Sequence, residues 1–285
     1  MTAENRDPVN KLHRQIGWGI LILLLALRIP YTLAIIYFLP IENQMGAAFY
    51  EVGAYVCILF LIWWERNKLK DFHIDGAALF LIIIFRPVQT LILKYWQVDA
   101  PLAFPKPAAW MICSAAIGLA LALWQSGYRP SLPSPRMLGW LVTGTLIGVG
   151  VSVLENFKVF QSVVSDPHPS LSTSVLFSTS LNLVYHLGFA PLIEEPLFRG
   201  FLWGYLRQLN WREGWIWLVQ AALFTSAHLY FANQYPLTFW VLIPAAGLLF
   251  GLLTWGSRSI APAILAHALI NGSVYVLAMM VLSQL

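Results

Sequence analysis

Six polar residues stand where a lipid-facing helix would carry none. Glu194, Glu195 and Arg199 lie in Ala190-Pro-Leu-Ile-Glu-Glu-Pro-Leu-Phe-Arg-Gly200, His228 closes Phe224-Thr-Ser-Ala-His228, and His267 and Asn271 bound His267-Ala-Leu-Ile-Asn271. A charge in a bilayer is costly, so each asks for a partner or a task. Glu195 and Arg199 are four apart, stack on one helix face and can neutralise each other. Glu194 points to another face, without a partner on its own helix. His267 and Asn271, again four apart, face one direction. A carboxylate and an imidazole can share a water and take its proton. A second imidazole and an amide can donate to the oxyanion of an attacked carbonyl. Together that is peptide or ester hydrolysis by Glu194, His228, His267 and Asn271. The alternative is a His2Glu zinc site of Glu194, His228 and His267 with an open position. Spacing does not separate the two, and neither reading makes a cofactor obligatory.

The elements that must position these residues are membrane helices. Of 285 residues, 59% are hydrophobic and 11% charged, against about 25% charged in a soluble domain. Lipid is therefore the solvent for most of the surface. Apolar runs recur at about 16–38, 47–64, 77–94, 108–125, 137–155, 173–206, 213–231, 237–256 and 260–283. About 20 apolar residues cross a bilayer core, and continuous rather than alternating apolarity argues helices over a barrel. The expected fold is all-α, a polytopic transmembrane helix bundle of about eight to nine spans. Polar residues 1–15 followed by a long apolar run do not suit a cleaved signal peptide.

The basic residues orient it. With nine spans and the N-terminus inside, inner segments hold Arg6, Lys11, Arg14, Arg66, Lys68, Lys70, Arg129, Arg136, Arg207, Arg212 and Arg258. Outer ones hold Lys94, Lys106 and Lys158. This bias predicts a cytoplasmic N-terminus and an outside C-terminus, and the compact loops suit a prokaryotic plasma membrane. It also accounts for the net charge of +4 without nucleic acid, for which there is no motif.

Depth can be compared from the inner basic residues. At 1.5 Å per residue, Glu194 lies roughly 20 Å from Arg207, His228 roughly 24 Å from Arg212 and His267 roughly 14 Å from Arg258. All three reach the middle or outer half of the core, so three helices can bring them together. Pro191 and Pro196 favour a break beside Glu194.

Glu194-Glu195-x-x-x-Arg199, Phe224-x-x-x-His228 and His267-x-x-x-Asn271, ordered on successive membrane helices, resemble the CPBP family. That family holds the CAAX prenyl endopeptidases and the bacteriocin-processing and self-immunity (Abi) proteins. The resemblance covers about residues 173–283. It divides the chain into N-terminal helices without motif, 1–160, and a CAAX-protease-like core, 161–285. It implies an intramembrane endopeptidase of glutamic or metallo type. Glu194 and His228 would activate water, and His267 and Asn271 would stabilise the oxyanion. Glu195, Arg199 and Phe224 would support the site. The implied partners are the lipid bilayer and a membrane-anchored protein or peptide substrate, either prenylated, a bacteriocin-type peptide or a C-terminal sorting anchor.

Bland readings accompany these. His228 and His267–Asn271 can serve as helix-to-helix hydrogen bonds. Asn182 and His186 form a further pair at helical spacing outside the motifs, and Arg28 and Arg86 are expected to snorkel or pair, with Glu51 as a candidate. Cys57 and Cys113 read as small buried hydrophobes. Gly144/Gly148, Gly200/Gly204 and Gly247/Gly251 read as close helix contacts. Two other functions compete. A proton-coupled transporter should show an inverted repeat, which is not detectable. A non-proteolytic immunity or binding protein of the same fold would survive loss of Glu194. Gly-x-Ser-x-Gly, Gly-x-Gly-Asp and His-Glu-x-x-His, the signatures of other intramembrane proteases, are absent.

Overall fold

The computed structural model describes residues 8–31, 44–95, 106–130, 133–155, 157, 173–233 and 235–282, and among them there is helix but no strand. The helices are α1 (Pro8–Ala26), α2 (Gln44–Trp64), α3 (Gly76–Phe80), α4 (Arg86–Tyr95), α5 (Lys106–Gln125), α6 (Pro135–Glu155), α7 (Thr173–Gly188), α8 (Pro191–Glu195), α9 (Trp203–Gln208), α10 (Glu213–Ser226), α11 (Ile243–Ser257) and α12 (Ala261–Leu282). Wider π turns extend or join several of them: Leu27–Tyr31 after α1, Leu81–Phe85 between α3 and α4, Pro196–Leu202 between α8 and α9, and Thr238–Leu242 before α11.

Among the described residues, four stretches are long and apolar enough to cross a membrane: Lys11–Ile29, Pro107–Gln125, Pro135–Glu155 and Thr238–Ser257. Tyr50–Trp64, Gly76–Ile92 and Ala261–Gly272 are shorter apolar helices. With so apolar a helical chain, this is a membrane protein. Two of the apolar runs do not form single helices, the sixth near the break that Pro191 and Pro196 favour. The sixth divides into α7 and α8–α9 at Phe189-Ala190, because Pro191 brings no N–H to continue the α7 ladder. The seventh ends as a helix at Ser226, and a short 3₁₀ turn, Leu229–Phe231, follows.

The glycine pairs lie where helices approach most closely. A methyl on Gly148 would come within 2.7 Å of the Ala266 carbonyl oxygen, so α6 and α12 cross nearly backbone to backbone. On Gly251 it would meet the Trp217 ring of α10 at 2.6 Å. Gly200 and Gly204 admit the Asp71–Phe72 turn against the π turn and α9. Neither Cys57 nor Cys113 forms a disulfide, and Cys113 is buried.

The loops richest in basic residues gather at one end of the bundle. Asp75 caps α3 through the Ala78 N–H, and its same oxygen accepts from Ser259. Ile260 N–H donates to the His73 carbonyl. Arg207 ion-pairs with Glu213 at 2.7 Å and donates to the Asp71 carbonyl and to His73 Nε2. Burial first, then the Arg207 cation, push the His73 imidazole down to about 3. This lattice ties the segment after α2 to α9 and α12, and it fixes the depth at which the helices above it stand.

Candidate active site

Two prolines bracket the acidic pair. Pro191 starts α8, and Pro196, unable to donate, opens the seven-residue π turn Pro196–Leu202. Glu194 and Glu195 therefore sit on a five-residue helix in the protein interior, both almost wholly buried along with Arg199.

Glu195 Oε1 accepts from Arg199 Nη1 at 3.2 Å, the pairing that the four-residue spacing predicts. The same oxygen meets His267 Nδ1 at 2.8 Å. Arg199 also donates to the Gly247 carbonyl at 3.0 Å, and its guanidinium lies 4.2 Å from the Phe224 ring centroid. Phe224 in turn stands edge-on to His267 at 5.8 Å, and Phe250 stacks on that imidazole at 5.0 Å. Ion pair, carbonyl and aromatic faces hold the His267 ring in one orientation.

His228 is positioned differently from expectation. It lies just beyond α10 rather than on it, at the head of the 3₁₀ turn. Its Nδ1 lies 2.8 Å from the Phe224 carbonyl, one of the acceptors that a helix C-terminus leaves open. A carbonyl only accepts, so Nδ1 carries the proton, and Nε2 of the neutral ring presents a lone pair.

These constraints turn both imidazoles toward one atom. Glu194 Oε2 is 3.8 Å from His228 Nε2 and 4.0 Å from His267 Nε2, and it has no hydrogen-bond partner among the described residues. Such gaps are too long for direct hydrogen bonds. They suit groups that share a third polar atom, since two hydrogen bonds of about 2.8 Å to one oxygen span about 4 to 4.6 Å. Asn271 lies one turn beyond His267 on α12, half-buried, and is not part of the hydrogen bonds that tie this cluster.

Zinc fits the arrangement poorly. Bonds of about 2.1 Å at tetrahedral angles put neighbouring donor atoms about 3.4 Å apart, less than either gap. Among the described residues no three His, Cys, Asp or Glu side chains are arranged to hold a metal ion.

One member of the site was not expected. Arg28, in the π turn after α1, donates from Nη2 to Glu194 Oε1 across 166 residues of sequence. Tyr50 and Tyr230 also lie near the Arg28 side chain. Arg86 pairs with Glu51 at 2.7 Å and donates to the Gly188 carbonyl, at the break below α7. An arginine in the first apolar run is the signal for such a partner, although spacing alone cannot name it. His186 packs beside Gly272 of α12, and the Asn182 side chain lies outside the described residues.

Residues 176–273 match a family model, the Rce1-like type II CAAX prenyl endopeptidases. All seven motif residues fall inside the match, and Arg28 falls outside it. No curated protein and no solved structure matches the chain.

Proposed function

We propose, supported by the match of residues 176–273 to the Rce1-like type II CAAX prenyl endopeptidases, that the chain is an intramembrane endopeptidase of the CPBP and CAAX-protease family that hydrolyses a peptide bond in a membrane-anchored protein or peptide. The observation that carries this reading is the convergence on Glu194 Oε2. An unpaired buried carboxylate oxygen faces the Nε2 atoms of two imidazoles whose other nitrogens are already engaged.

Water would sit between Glu194 Oε2 and His228 Nε2. As it attacks the scissile carbonyl carbon, its proton passes to this pair, and a C–O bond forms while the carbonyl oxygen takes negative charge. His267 with both ring protons gives one hydrogen bond to Glu195 and one to that oxyanion, and Asn271 adds its amide donor. The collapse of the tetrahedral intermediate breaks the C–N bond, and the abstracted proton leaves on the amine. The balance is one water consumed, one carboxyl and one amine released. No step uses a metal. The basic loops gathered at one end would face the cytoplasm, with the C-terminus outside.

The test is cleavage of quenched peptides bearing C-terminal membrane anchors or prenylated tails by purified protein in detergent. Glu194→Ala and His228→Ala are each expected to lower kcat on the order of 100-fold or more, and a chelator is expected to leave wild-type cleavage intact. Cleavage that survives both substitutions would overturn the mechanism. Loss on chelation with recovery on zinc would replace the metal-free step by a metal-dependent one.

A further inference from the structure

Glu194 has two carboxylate oxygens in different situations. Oε1 is taken by the Arg28 guanidinium, while Oε2 is left facing His228 and His267. Among the described residues, the charged groups around this carboxylate are Arg28, His228, His267 and Arg199 on one side of the balance, with Glu51 beyond Arg28. Arg199 is spent on Glu195 and the Gly247 carbonyl. Arg28 is thus the cation directly bonded to Glu194, and it comes from a helix that the family match does not include.

The surroundings hold Arg28 in place. Tyr50 of α2 and Tyr230 of the turn after α10 both reach it. Glu51, next to Tyr50, is fixed by Arg86, which is anchored on Gly188 where α7 stops. Charges alternate along this line, Arg86, Glu51, Arg28, Glu194, and it crosses from α4 through α2 and α1 into α8. A guanidinium presents donors in a rigid plane and binds a carboxylate in a defined orientation, which an ammonium does not.

We propose that Arg28 is a positioning residue for Glu194: by occupying Oε1 it fixes the carboxylate plane so that Oε2 alone faces the two histidines, and the N-terminal helices thereby complete the active site. This rests on the endopeptidase reading. Arg28 touches no reacting atom in it, so its loss should act through the geometry of the attack and not through substrate affinity.

The experiment compares wild type, Arg28→Met and Arg28→Lys for kcat and KM on one anchored peptide. In parallel, labelling of Glu194 by a hydrophobic carbodiimide is read by mass spectrometry, and a thermal melt reports folding. Arg28→Met is expected to lower kcat on the order of 100-fold, the cost of a small misplacement, with KM within about threefold, and to raise Glu194 labelling several-fold because Oε1 is uncovered. Arg28→Lys, charged but without the fork, should fall between in both readouts. Unchanged kcat with unchanged labelling in Arg28→Met, while Glu194→Ala is inactive, overturns the role of Arg28 and leaves the protease reading intact. If wild type cleaves nothing, that reading fails, and labelling alone decides whether Arg28 holds Glu194. If Arg28→Met does not fold, Arg28→Lys carries the comparison, and wild-type values for it in both readouts refute the proposal.

Discussion

Replacing Arg199 by methionine tests the electrostatic logic of the site without touching a reacting atom. Arg199 is fully buried, donates to Glu195 at 3.2 Å and to the Gly247 carbonyl at 3.0 Å, and lies over Phe224. Methionine keeps much of the volume and the aromatic contact but removes the charge. Gly247 keeps a donor in Gln220 Nε2 at 3.2 Å, so the cost concentrates on Glu195, left buried with only His267 beside it. Breaking a buried pair by removing one partner costs about 3–5 kcal/mol, which is roughly a 100- to 4,000-fold change in the folding equilibrium. Replacing both partners by neutral groups costs far less. Arg199→Met/Glu195→Gln should therefore recover most of the loss, ending within about 2 kcal/mol of wild type. Reversible unfolding in bicelles, read for wild type, both single variants and the double variant, gives the coupling between the pair. A single variant within about 1 kcal/mol of wild type, or a double variant no better than Arg199→Met, would refute the reasoning.

Stability should also depend on pH through His73. Its imidazole is held down to about 3 by burial and Arg207, whereas an unfolded histidine titrates near 6.5. Between these values the unfolded chain binds the extra proton, so stability is complete above about 6.5 and is lost as pH falls, by about 2 kcal/mol at pH 5. His73→Asn, which tolerates the left-handed backbone at φ 54°, should flatten that slope in a pH series of thermal melts. Gly148→Leu should push α6 off the Ala266 backbone and cost about 1–3 kcal/mol, measured by the same melts, whereas Gly150→Leu, with open space at its Cβ, should stay near wild type.

Much of the site was legible because its signals are local. Glu195 with Arg199 follows from helical spacing alone, and that pair forms. The depths of Glu194, His228 and His267, all in the middle or outer half of the core, allowed them to meet, and their side chains approach one another. Arg28 and Arg86 were expected to snorkel or pair, with Glu51 as a candidate for either; Arg86 takes Glu51 and Arg28 takes Glu194. His228 was expected on a helix and lies past the end of one. Apolarity continues through Leu229 and Tyr230, so composition does not mark where the hydrogen-bond ladder stops. The break in the sixth run was expected from Pro191 and Pro196 and is present, although proline signals a break without saying whether the helix kinks or divides.

Composition and charge determined a helical membrane protein, and three ordered motifs singled out the residues of the candidate site, because both depend on transfer energies and on spacing along one helix. Only the tertiary structure decided that His267 leans on Glu195, that Glu194 keeps one oxygen open, and that Arg28 closes the other. Those contacts depend on how helices rotate and tilt against one another, which glycines at backbone crossings and prolines at breaks set jointly. No periodicity within a single segment encodes a contact made 166 residues away.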